Sequence, residues 1–199
     1  MPAAIGTLVL VVGPSGAGKD SIIAGAASQL HGDLRFVFAR RAITRPREAG
    51  GESHLALSPS AFDAARTRGG FLLHWQAHGL DYGIPATLAV ERAAGRIVVA
   101  NVSRTMVEPA RTRLAPVRIV QVLASRAVLA ARLAQRGRES AADIDRRLER
   151  AVAAEIEPAG DVMTILNDEA LASAVGQFVL ILRELAAQPA VSPAFSASR

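Results

Sequence analysis

The sequence predicts an α/β protein in which a parallel sheet is flanked by helices, and three observations carry that prediction. Short β-branched apolar runs alternate with stretches of helical periodicity from residue 7 to residue 187. The first run, TLVLVV at 7–12, leads directly into GPSGAGKDS at 13–21, a strand, a glycine-rich loop and a helix start in immediate succession. The chain has 199 residues, half of them hydrophobic, which suffices for one good core with a small insertion but hardly for two full domains.

Each element has a local reason. The run 7–12 is β-branched and ends at Gly13, the pattern of a buried parallel strand. Residues 19–30 carry apolar side chains at helical spacing, and 35–42 (RFVFARRA) reads as a strand. Pro46, Gly50, Gly51 and several charges make 44–54 a loop. Residues 58–70 form a short helix capped by Ser58 or Ser60 and stopped by Gly69 and Gly70. A strand resumes at 71–75, and HGLDYGIP (78–85) reads as a turn-rich connection. A helix at 86–95 closes on Gly95, followed by a buried strand at 96–102. Residues 106–114 are helical but broken early by Pro109, 117–124 is a strand, and 126–136 and 140–157 are helices around RGRES. The last strand is 162–168 and the last helix 169–187. The tail 189–199 is small and Pro-containing and is expected to be disordered, so the domain is 1–188.

Composition narrows the function. The 41 charged side chains comprise 23 basic and 18 acidic residues, giving a net charge of +5, but the basic residues are interspersed with Asp and Glu. Aromatics make up only 4% of the chain, so stacking platforms for single-stranded nucleic acid are not expected. No apolar stretch reaches the length of a membrane span, the start lacks the basic head of a signal peptide, and cysteine is absent. A cytoplasmic protein is expected. Every basic residue but one is Arg; the sole lysine, Lys19, lies inside the glycine loop.

That loop has the spacing G-x-x-x-x-G-K, with Gly13, Gly18 and Lys19 at the defining positions. Its residues Gly13, Pro14, Ser15, Gly16, Ala17, Gly18, Lys19, Asp20 and Ser21 are the expected cradle for ATP phosphates, aided by the positive end of the following helix. A compact ammonium on a flexible stem suits the β and γ phosphates. Asp20 stands where a hydroxyl usually ligates Mg²⁺. It could ligate the metal itself, hold a metal-bound water, leave the task to Ser21, or serve only as an acidic first-turn residue.

In order along the chain, GPSGAGK, TRPREAGGE, FLLHWQAHGLDYG and RLAQRGRESAADIDRRL resemble the landmarks of guanylate kinase-like P-loop proteins. The G-K-D-S loop, the R-x-I-T-R segment and the W-x-A-H-G-L-x-Y-G segment together resemble more closely the ribose 1,5-bisphosphate phosphokinase (PhnN-type) family of phosphonate breakdown. The resemblance implies a P-loop NTPase fold with an acceptor-binding region at about 35–90 and a lid at about 132–150. It implies ATP and Mg²⁺ as cofactors, ribose 1,5-bisphosphate as the small-molecule partner, and no nucleic-acid or membrane partner; a homodimer stays open.

Departures from guanylate kinase fall in the acceptor region. The family's guanine-reading acid aligns with Leu73, its base-reading Ser with Arg41, and its phosphate-binding Tyr with a position near His54. Arg45 and Arg47 keep the places of its acceptor-phosphate arginines, and Arg41 is the candidate for a second phosphate. His74, His78 and Tyr82 occupy the acceptor arm, and Trp75, the only tryptophan, reads more as packing than as stacking. Arg132, Arg136, Arg138 and Arg147 resemble lid arginines that neutralise charge on the transferring group, against a salt-bridged helix as the plainer alternative. Asn101 and Ser103 replace the acidic residues that guanylate kinases carry after the corresponding strand; Asn101 could bond a ribose hydroxyl, and Asp20 is expected to offset the lost carboxylate. The resemblance implies phosphorylation of ribose 1,5-bisphosphate to 5-phospho-α-D-ribose 1-diphosphate, with a guanylate kinase as the alternative. A non-catalytic, peptide-binding module is a third class, but such modules commonly lose the loop's glycines or lysine, which are intact here.

Overall fold

The computed structural model describes residues 5–46, 52–135, 156 and 159–188. Five parallel strands form the main sheet in the order β2-β7-β1-β8-β9: β1 (Leu8–Val12), β2 (Phe36–Phe38), β7 (Ile97–Asn101), β8 (Val117–Leu123) and β9 (Val162–Leu166). The fold class expected from the sequence is the one observed. All five residues of β1 are buried, and alternation divides them between two cores. Val9 and Val11 pack under helices α1 (Lys19–Gln29) and α6 (Leu171–Ala187). Leu8, Leu10 and Val12 face the other way, toward helix α4 (Val107–Arg113) and side chains of a second sheet. A strand covered on both faces must be apolar at every position, which is why TLVLVV does not alternate.

The second sheet comprises β3 (Ala42–Ile43), β4 (Leu55–Ala56), β5 (Phe71–Ala77) and β6 (Leu80–Pro85) in the order β4-β3-β6-β5. Two expectations are corrected here. The run 35–42 is not one strand: it leaves the main sheet after Phe38 and joins the second sheet at Ala42. Residues 80–85 are not a connection but a strand, antiparallel to β5 with Trp75 opposite Tyr82. Only His78 and Gly79 turn; both have positive φ, 52° and 72°, as a tight two-residue hairpin requires.

Local signals place the remaining helices well. Ser58 caps α2 (Pro59–Thr67) by accepting from the Ala61 amide at 3.1 Å, with Pro59 in the first turn. Helix α3 (Leu88–Ala93) ends just before Gly95. Pro109 does not break α4: it lies in the first turn, where its missing N–H has no helical partner to lose. Helix α5 (Arg126–Gln135) follows β8. The helix expected at 140–157 and the tail 189–199 lie outside the described residues, apart from Ile156. Among the described residues, no helix is long and apolar enough to cross a membrane.

Candidate active site

The carboxyl ends of β1 and β7 open on a cavity of about 550 Å³, the position at which open α/β sheets bind ligands. Gly13, Ser15, Gly16, Gly18, Lys19, Asp20 and Ser21 form one wall. The glycines are dictated by backbone geometry. Gly13 has φ +141°, and a Cβ there would lie 2.0 Å from the Val122 carbonyl of β8. Gly18 has φ +94°, and its Cβ would lie 2.4 Å from the Asn167 side-chain amide. Lys19 donates to the Gly13 and Pro14 carbonyls at 2.8 and 2.9 Å, so its ammonium lies within the curl of the loop. Pro14 contributes that carbonyl without lining the cavity. Ala17 is fully buried, and its carbonyl accepts from Asn167 Nδ2 at 2.8 Å.

Asn167, just past β9, was not singled out from sequence. It braces the loop from beneath while its Oδ1 is buried without a partner. Arg132, on α5, comes to the same place: its Nη1 lies 3.9 Å from where a Gly18 Cβ would be and is likewise buried without a partner. Arg136, Arg138 and Arg147 lie outside the described residues, as does Arg47.

The opposite wall comes from the second sheet and from the turn after β7. Arg45, Glu52, Trp75, Ala77, His78 and Tyr82 line it, together with Arg41. Asn101, Ser103, Arg104 and Thr105 close the floor. Trp75 and Tyr82 stack, with ring centroids 5.4 Å apart and planes 7° from parallel, and the Arg41 guanidinium lies 5.4 Å from the Tyr82 ring centroid. Trp75 therefore packs in the core beneath and stacks as well.

Three of the acceptor candidates differ in where they lie. Arg41 lines the cavity and is paired there: its Nε donates to Glu52 Oε2 at 2.8 Å, its Nη2 binds Glu52 Oε1, and Asp20 Oδ1 lies 3.7 Å from the same Nη2. It neutralises two carboxylates and ties the acceptor loop to the phosphate loop. His54 does not face the cavity. It is buried, with Nε2 2.9 Å from the Arg45 carbonyl and Nδ1 3.4 Å from Arg45 Nη2, so it clamps Arg45 from both ends. Nδ1 also lies 3.0 Å from the Glu52 carbonyl, so both ring nitrogens face backbone oxygens and the ring is fixed between the two ends of the loop. His74 alternates to the outer face of β5, beside Phe71, because the inward positions belong to Leu73 and Trp75. Arg45 keeps one buried nitrogen, Nε, without a partner, as expected of a donor awaiting an anion.

Asp20 and Asn101 meet. Asn101 Nδ2 donates to Asp20 Oδ1 at 2.6 Å across 81 residues of chain. With Glu52 they also line a second cavity of about 520 Å³.

The cavity thus brings a glycine-rich loop and an arginine-bearing wall together. No family model matches the chain. A ribose 1,5-bisphosphate phosphokinase PhnN of Brucella abortus is 48% identical over 182 residues, 91% of this chain and 94% of that protein. The chain belongs to the ribose 1,5-bisphosphate phosphokinase family. Another relative, the bifunctional ribose 1,5-bisphosphokinase-thymidine phosphorylase of Azorhizobium caulinodans, is 50% identical over 180 residues; the chain spans 25% of that longer protein. Among solved structures, guanylate kinase from Anaplasma phagocytophilum superposes with a TM-score of 0.67 at 16% identity, over 96% of this chain and 91% of that one. That likeness shows the fold. In this phosphokinase, Leu73 is 1% exposed and packed in the core. A carboxylate there would be buried among hydrocarbon rather than offered to a base.

Proposed function

We propose that the protein transfers the γ-phosphoryl group of ATP to the 1-phosphate of α-D-ribose 1,5-bisphosphate, giving 5-phospho-α-D-ribose 1-diphosphate and ADP. One observation carries the choice of acceptor: the phosphate cradle shares its cavity with Arg45 and Arg104, while the base-reading position is a buried leucine. Such a wall offers guanidinium donors to phosphate, and its carboxylate, Glu52, is already paired with Arg41.

The attacking oxygen belongs to a phosphate and is already anionic, so the reaction needs no general base. Positioning and charge neutralisation remain. Loop amides and Lys19 hold the β and γ phosphates, and Arg132, beside Gly18, neutralises charge on the donor side. Arg45 binds acceptor phosphate through the edge that includes its unpartnered Nε, with His54 fixing its backbone and guanidinium. His78 and Tyr82 shape the acceptor wall. Arg47, Arg136 and Arg147 are assigned the acceptor-phosphate and lid roles that the family resemblance implies.

Mg²⁺ fits this donor set. The nucleotide phosphates would carry the ion, with Asp20 as a hard oxygen donor beside them. Asp20 is half exposed in the cavity, and both its contacts fall on Oδ1, leaving Oδ2 for the ion, with the Ser21 hydroxyl adjacent in sequence. When bound, Mg²⁺ draws charge from the β and γ phosphate oxygens. The enzyme is assigned to the cytoplasm.

The test is a coupled ADP-release assay with ribose 1,5-bisphosphate and GMP in parallel. kcat/KM on the bisphosphate should exceed that on GMP by at least about 100-fold. Turnover of GMP at a comparable rate would establish the guanylate kinase alternative instead.

A further inference from the structure

Asn101 is 6% exposed, and its Oδ1 is buried with no hydrogen-bond partner, although the side chain lines the acceptor cavity. A buried carbonyl oxygen left without a donor is costly, so its persistence points to a donor supplied by a ligand. The orientation of the amide is not arbitrary. Its nitrogen sits 2.6 Å from Asp20 Oδ1. Flipping the amide would press two acceptors together at that distance. Asp20 therefore acts on Asn101 as a latch: by accepting from Nδ2 it turns Oδ1 away from itself. Arg41, 3.7 Å from the same Asp20 oxygen and paired with Glu52, holds the carboxylate in place from the other side.

What can donate to Oδ1 is limited by the chemistry of the cavity. The phosphates of ATP and of the acceptor are acceptors only at neutral pH. Apart from metal-bound water, the donors entering with the proposed acceptor are the hydroxyls at C2 and C3 of its ribose ring. We propose that Asn101 is the specificity-determining residue for a sugar hydroxyl of the acceptor, and that Asp20 is its positioning residue. The inference rests on the proposed acceptor and adds to it: the enzyme reads the hydroxylated ring and not only the phosphates. It also gives a reason for Asp20 and Asn101 to occur together. A serine at position 20 would be too short to hold the amide, and an aspartate at 101 would face Asp20 as a second anion.

The experiment compares kcat/KM on ribose 1,5-bisphosphate with its 2-deoxy and 3-deoxy analogues. Wild type should prefer the full substrate over one analogue by about 10- to 100-fold, the loss of one hydrogen bond to a buried group. In Asn101→Ala that ratio should fall to about 1, because only the hydroxylated substrate loses a contact. Asp20→Ser should lower the ratio as well, by letting the amide rotate. A role confined to folding would reduce all acceptors alike and leave the ratio intact, and that result overturns the inference. So does an Asn101→Ala variant that weakens Mn²⁺ binding, followed by electron paramagnetic resonance with ATP and no acceptor, at an unchanged ratio: Oδ1 would then hold a metal-bound water. Should Asn101→Ala fail to fold, judged by its melting transition, Asn101→Ser provides the same comparison. A wild type inactive on ribose 1,5-bisphosphate overturns the proposed function instead, and the ratio is then read on GMP against 2′-deoxy-GMP.

Discussion

Lys19 is the only lysine in a chain with 22 arginines, so amine chemistry can address the site almost alone. Its ammonium donates to the Gly13 and Pro14 carbonyls, inside the loop that would wrap the phosphates. Bound ATP should therefore shield it. Acetylation with a small acylating reagent should modify Lys19, the α-amino group apart, and ATP with Mg²⁺ should slow that modification at least about tenfold, as read by mass spectrometry of the 19-containing peptide. Equal labelling with and without nucleotide would remove Lys19 from the phosphate site. Lys19→Arg keeps the charge but not the compact three-donor head, and should lower kcat by about 10²- to 10³-fold. Lys19 and its glycines were legible in the sequence because the loop's requirements are local: φ values, one close approach and one helix start. The contacts Asn101–Asp20 and Arg41–Glu52 were not, since they depend on which distant segments meet. Nothing local to Arg41 announces that Glu52, eleven residues on, occupies its fork.

At the scale of elements, the hairpin of β5 and β6 decides the shape of the acceptor wall, and its second strand was the element least legible in the sequence. HGLDYGIP contains two glycines, an aspartate and a proline, all poor strand formers, yet six of its eight residues form β6. Tertiary pairing overrides propensity there. Trp75 opposes Tyr82 across the ladder, and the stacked rings join a core residue to a cavity residue. Gly83 is required by packing, since a Cβ would lie 2.5 Å from the Phe71 ring. Tyr82→Ala should then cost about 1–3 kcal/mol of stability in urea unfolding and raise KM for the acceptor, because Arg41 loses the ring beneath it. Tyr82→Phe keeps the stack and should retain stability. If the two variants are equally stable, the stack does not organise the wall. The strands of the main sheet, by contrast, were readable from composition, because burial on both faces leaves no polar position to confuse the pattern.

For the whole molecule, the same double coverage sets a mechanical problem: α4 and the edge strand β9 must stay fixed while ligands enter at the carboxyl ends of the strands. Arg111 on α4 does this by a bidentate bridge to Asp161, with Nε–Oδ2 at 2.7 Å and Nη2–Oδ1 at 2.9 Å, immediately before β9. The guanidinium's hydrogen bonds hold the Asp161 carboxyl below its usual range. Arg35 does the same at the exposed Asp33, down to about 2. The sign follows from linkage. A carboxyl whose pKa is lower when folded adds stability that is fully present above its unfolded value near 3.8 and is lost as pH falls through the folded value. The protein should therefore lose stability in acid below about pH 4, and these two carboxyls contribute to that slope. Asp161→Asn should be less stable than wild type at pH 7, and the gap should narrow as pH falls below the unfolded value near 3.8 and wild-type Asp161 takes up its proton. Urea midpoints at pH 7, 4 and 2.5 measure the gap. A gap that is constant with pH would mean that Asp161 acts through packing alone, and α4 would then owe its place on the sheet to Val107 and Ala110 rather than to the ion pair.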